Sequence, residues 1–130
     1  MKYRPIRMPA HAACAVLRHG RRLLRARVSA LLALPDAAFA QAFPGVVAAV
    51  EAAFRHEEAL LELLGEACLH PRRADHAVIL CALHRSAARV EGGDLERGRQ
   101  VVAALDAILA PPAAFLPARG AARPPVWLGR

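Results

Sequence analysis

The sequence predicts an all-α protein, an up-down-up-down four-helix bundle, and three observations lead there. Hydrophobic residues make up 56% of the 130-residue chain but aromatics only 5%, so the apolar mass lies in Ala, Leu and Val. Ala and Leu are strong helix formers, and strand-favouring residues occur only in short groups. Apolar residues also recur at helical spacing in four stretches, with Pro, Gly or Asp at the junctions. A chain of this length is expected to bury one core without metal or disulfide staples.

Residues 1–11, with Pro5 and Pro9, are expected to form a basic irregular leader, residues 12–110 the bundle, and residues 111–130 a Pro/Arg-rich flexible tail. The first helix is expected from Ala12 to Leu34, with Val16, Leu23, Ala26, Ala30 and Leu34 on one stripe and His19 among them. Pro35 and Asp36 break and recap the chain, and 37–43 read as a short separate turn of helix. Pro44 suits the first position of the second long helix, whose seam is Val46, Val50, Phe54, Glu57, Leu61 and Leu64, with Gly65 as the stop. The third helix is expected from Pro71 to Val90, on a seam of His76, Ile79, Leu80, Leu83, Ala87 and Val90. Asp94 is the expected N-cap of the fourth, which turns Leu95, Val101, Val102, Leu105 and Ile108 inward until Pro111. Gly20, Gly45 and Gly98 are expected to admit close helix approach. In the tail, Phe115 and Trp127 are the residues able to dock back.

The formal charge is +7, and Lys2, Arg4, Arg7, Arg18, Arg21, Arg22, Arg25 and Arg27 all precede the first acidic residue, Asp36. The plain reading is a solvated Arg-rich helix face. The rival is a nucleic-acid or membrane-surface adaptor working through Arg18, Arg21, Arg22 and Arg25, although no aromatic stacking platform accompanies them. "VSALLALP" falls short of the ~20 apolar residues a bilayer span needs, so no membrane span is expected. Cys14, Cys68 and Cys81 are odd in number without C-x-x-C spacing, which predicts reduced thiols, a cytoplasmic location and no structural zinc, with Cys68 a buried linker thiol. "HEEAL" has Leu60 where a zincin needs its second histidine, and "EGGDLERG" lacks the Lys-Ser/Thr of a phosphate loop. No enzyme is expected. The partner is an unknown protein or a second copy of the chain.

One constellation remains. His19, Glu57 and His76 interrupt three different apolar seams. A carboxylate buried alone costs several kcal/mol, so Glu57 needs a metal, a histidine or a cation beside it, or a proton. Clustered carboxylates and imidazoles on facing helices are how bundles hold iron or manganese.

On these residues the chain resembles the hemerythrin-like family, over about residues 12 to 109. In "AFRHEEALL", Phe54, Glu57 and Glu58 match the family's H-F-x-x-E-E-x-x-M, with Leu61 at the Met place. His76 is in register with the second histidine of the family's H-x-x-x-H, and His19 looks like its first-helix histidine. The departures weigh as much. Ala53 and Arg72 stand where histidines belong, and "AILAPPAAFL" lacks the final H-x-x-x-x-D. The resemblance implies a degenerate site, without an intact di-iron centre or reversible dioxygen binding, in a non-catalytic binding or sensing protein. Three readings of the site stand open, one of them a protonated or rim-exposed Glu57. His19, Glu57 and His76, with His56 as a possible substitute, hold a single Fe, Zn or Mn ion. Alternatively Arg72, one turn before His76, fills the space and pairs with Glu57 as a buried ion pair.

Overall fold

The computed structural model describes residues 10–65 and 67–111. They form four helices, α1 (Ala10–Leu32), α2 (Asp36–Leu64), α3 (Leu69–Glu91) and α4 (Leu95–Leu109), with no strand among the described residues. The all-α four-helix fold is therefore present. Most of the expected leader and tail, including Phe115 and Trp127, lies outside the described residues.

Each helix packs chiefly against two others: α1 and α3 both contact α2 and α4. Side-chain pairs give the directions. Glu51 meets His84 while Glu57 meets Arg72, so α2 and α3 are antiparallel. Asp106 meets Arg25 while Arg99 reaches Leu32, so α4 runs against α1.

The second helix departs from expectation at its start. Asp36–Leu64 is one continuous helix with Pro44 inside it, and 37–43 is no separate turn. An interior proline removes a backbone hydrogen bond and costs about 3 kcal/mol. Phe39, Phe43, Val46, Val47 and Val50 bury on one face across that point. Each fully buried side chain of this size contributes about 1.5–3 kcal/mol, so packing outweighs the break. At the other end Gly65 closes the helix in the left-handed conformation (φ 65°), its N–H donating to Leu61 and Glu62 carbonyls. This helix is also long and apolar enough to cross a membrane by length and composition alone. The expectation of no span overlooked it. In the bundle it sends eight residues into the interior, Glu57 among them.

The first helix buries a different face from the one expected. Ala13, Leu24, Val28 and Leu31 are buried, with Leu17 and Arg21 half-buried on the same stripe. Val16 is 51% and Leu23 58% exposed, and His19, Ala26 and Ala30 face outward as well. α1 carries apolar residues on two sides, and periodicity alone does not say which side meets the core.

Two contacts fix the remaining elements. Gly98 on α4 is buried, and a Cβ there would lie 2.5 Å from Val90 Cγ2 and 3.4 Å from Phe39 Cε1. Its missing side chain lets α4 approach α3 and α2. Gly20 and Gly45 are exposed with nothing within 4 Å, so they serve no such approach. The next residue, Arg99, donates to the carbonyls of Leu32 (3.1 Å) and Leu34 (2.6 Å), bonds Asp36 and lies 4.4 Å over the Phe39 ring. The last carbonyl of α1 and that of Leu34 in the turn after it are thus satisfied by a cation from α4. Asp94 precedes α4 but makes no side-chain cap bond; its carboxylate turns to Arg89, 3.5 Å away.

Candidate functional site

The site grows from one stripe of α2. Phe54, Glu57 and Leu61 fall on one helical face and are all buried, Glu57 to 8% exposure. The helix is held there by its larger apolar neighbours, which carry the carboxylate into the interior with them. From the first two turns of α3, Arg72 and His76 share a face and turn toward it.

Arg72 Nη1 donates to Glu57 Oε2. Arg21 Nη2 lies 3.6 Å from the same oxygen, reaching it from α1. One carboxylate oxygen therefore faces two guanidinium groups from two helices. Both arginines keep about a third of their side-chain surface exposed, so apolar stems line the interior while the heads keep some water.

His76 is 2% exposed, and its ring stacks on Phe54 with centroids 3.8 Å apart and planes 6° from parallel. Its Nδ1 is 2.6 Å from Glu58 Oε2. A carboxylate only accepts, so Nδ1 carries the proton of that bond. The other nitrogen, Nε2, has no hydrogen-bond partner among the described residues; Glu57 Oε1 is 3.8 Å away. Arg73 braces the outer side, 3.4 Å from Glu58 and 3.5 Å from Glu62.

Glu57, His76 and Arg72 thus come together. His19 and His56 do not join them: both are exposed and line a separate apolar groove of about 560 Å³ between α1 and α2, beside Val16, Leu23 and Leu63. No three His, Cys, Asp or Glu side chains converge to hold a metal ion among the described residues. The expected trio of His19, Glu57 and His76 is therefore not assembled, because His19 sits on the outward side of α1. Cys14, Cys68 and Cys81 are exposed, and Cys68 is not the buried thiol expected: it stands at the N-cap of α3.

The four arginines expected to share one basic face divide instead. Arg21 turns to Glu57 and Arg25 to Asp106, leaving Arg18 and Arg22 exposed. Asp106 also accepts from Ser29 Oγ at 2.6 Å, and that bond, with the Arg25 guanidinium at 3.2 Å, holds its carboxyl below the ordinary value against the opposing effect of burial. Sequence reasoning missed Arg21 as a partner of Glu57. The signal was its place at helical spacing between Leu17, Leu24 and Val28.

A second pocket, of about 310 Å³, opens beside the ion pair between α1, α3 and α4. Arg21, Arg72, Asp75 and His76 supply its polar wall, and Leu105 and Ile108 are among its apolar residues. No protein-family model, no curated protein and no solved structure matches the chain.

Proposed function

We propose that the protein is a non-catalytic binding bundle, hemerythrin-like in descent, in which a guanidinium–carboxylate pair takes the place of a metal centre. The observation that carries this reading is the bond from Arg72 to Glu57. Arg72 holds the position where the resemblance calls for a metal-binding histidine, and its head group reaches Glu57, the carboxylate this chain retains of such a centre.

Charge argues the same way. A divalent ion beside Glu57 and His76 would lie near two guanidinium groups. At about 4 Å and an effective dielectric of about 20, a dication and a monocation repel by about 8 kcal/mol. Both arginines would have to swing out before a single Fe, Zn or Mn ion could settle there. Arg72 and Arg21 instead neutralise the carboxylate, and His76 is engaged by Glu58 through the nitrogen that does not face Glu57. Nothing in the cluster pairs a nucleophile with a base and an oxyanion donor, so binding is the reading it favours over catalysis.

Elemental analysis of protein purified without chelator, then repeated after exposure to iron(II) and zinc(II), tests the proposal. The expected result is metal far below one ion per chain. Retention of one ion per chain, lost in Glu57→Gln, would overturn it and restore the mononuclear reading.

A further inference from the structure

We infer that the groove between α1 and α2 is the seat of the chain's own C-terminal segment, residues 112–118, with Phe115 and Leu116 set against Val16, Leu23 and Leu63. This goes beyond the binding reading above and holds whether arginine or metal stands beside Glu57.

Helix length leaves that groove open. The first three helices have 23, 29 and 23 residues, but α4 has 15. At a rise of 1.5 Å per residue, α4 falls ~12 Å short of α3. It runs against α1 with Asp106 beside Arg25, so its last residue, Leu109, comes level with the turn of α1 that holds Arg21. The first turns of α1 and the last turns of α2 run on past the end of the fourth helix. Of the four exposed large hydrophobics among the described residues, Val16, Leu23 and Leu63 line the groove, which has a volume of about 560 Å³. Apolar surface gathered in one place in this way calls for a cover. Chain continuity names it. Leu109 itself lines the groove, so the chain leaving α4 sets out from there, with residues 112–130 still to come after Pro111. The six residues from Leu109 to Phe115 reach ~20 Å when extended. The α1 wall from Val16 to Arg27 is ~17 Å long, so Phe115 can be placed anywhere along it. A tether this short also holds the segment at an effective concentration on the order of millimolar, at which a weak apolar contact is enough.

Charge selects which part of the tail fits. "PAAFLPA", residues 112–118, carries none, whereas Trp127 lies between Arg123 and Arg130. The groove has Arg27, His19 and His56 in its lining, and its one acid among the described residues, Glu57, already faces Arg72 and Arg21. A basic segment is repelled there and a neutral apolar one is not. Pro112 and Pro117 have no N–H, so seating the segment strands two fewer backbone donors. The same basic lining disfavours a second copy laid groove to groove, since like charges would meet.

The test is methyl NMR on the full chain, reading nuclear Overhauser contacts from the Phe115 ring to the methyl groups of Val16, Leu23 and Leu63. Contacts that are present and independent of protein concentration are the expected result. A synthetic PAAFLPA peptide should also bind full-length Phe115→Ala roughly tenfold more tightly than the parent, whose own segment competes for the groove. No contact from Phe115, contacts from Trp127 in its place, or contacts seen only between two differently labelled copies would overturn the inference, and so would equal peptide affinity for parent and variant. Circular dichroism establishes that the variant is folded; should it not fold, the contacts in the parent chain decide alone. Metal content enters none of these readings, so an empty groove refutes this inference and leaves the proposed function standing.

Discussion

Replacing Glu57 with Gln removes one charge while keeping size and shape. Glu57 is 8% exposed and accepts from Arg72, with Arg21 3.6 Å away. A hydrogen bond to a charged group contributes about 1.5–3 kcal/mol. Removing one partner of a fully buried pair costs about 3–5 kcal/mol, because the other charge is stranded. Here the stranded charges are a third exposed and regain water by moving outward, which trims the cost. The neutral amide is also cheaper to bury. The balance is a loss of about 2 kcal/mol, or roughly 8 °C in melting temperature for a domain of this size. Urea denaturation followed by far-ultraviolet circular dichroism in chelated buffer measures it. A double-mutant cycle with Arg72→Gln should return a coupling of about 1–2 kcal/mol. Coupling indistinguishable from zero, with Glu57→Gln as stable as the parent, would refute the claim that this pair holds the interior together.

Other outcomes follow from particular contacts. Gly98→Ala should destabilise by about 1–3 kcal/mol, since its Cβ would meet the stiff Val90 side chain at 2.5 Å, whereas Gly45→Ala, with open space around it, should stabilise by about 0.5–1 kcal/mol; thermal melts of the two read opposite signs. Ser29→Ala should cost about 1 kcal/mol near neutral pH by removing the bond that depresses the Asp106 carboxyl. A carboxylate whose folded pKa lies below its unfolded one contributes stability above the unfolded value and loses it as pH falls through the folded value. The difference between parent and Ser29→Ala should therefore shrink with acidification below the ordinary carboxylate range, as denaturation at a series of pH values would show. A gap that stays constant there would remove Asp106 from the account.

Four helices were legible in the sequence because Pro, Gly and Asp mark their junctions and apolar residues recur at helical spacing between them. Seams containing Phe54, Glu57, His76 and Leu83 read correctly for that reason. The face of α1 did not, because Val16 and Leu23 compete with Leu24 and Val28 in an Ala- and Leu-rich helix, and only the partner helices choose between them. The Pro44 boundary failed because local backbone preference lost to burial on both sides of the ring. At the site, the contact of Arg72 with Glu57 lay within reach of simple spacing, since Arg72 and His76 are one turn apart. Arg21 was hidden by its charge: in a row of arginines, the one pointing inward looks like its neighbours.

Arg99 has a consequence for how the molecule assembles. It ties the turn after α1 to α4, across more than half of the described chain, and covers Phe39 while doing so. The first helical hairpin, emerging alone during synthesis, has bare carbonyls at that turn and an uncovered aromatic ring. The last helix acts as a latch on that turn, and the hairpin gains these contacts only once α4 has packed against it.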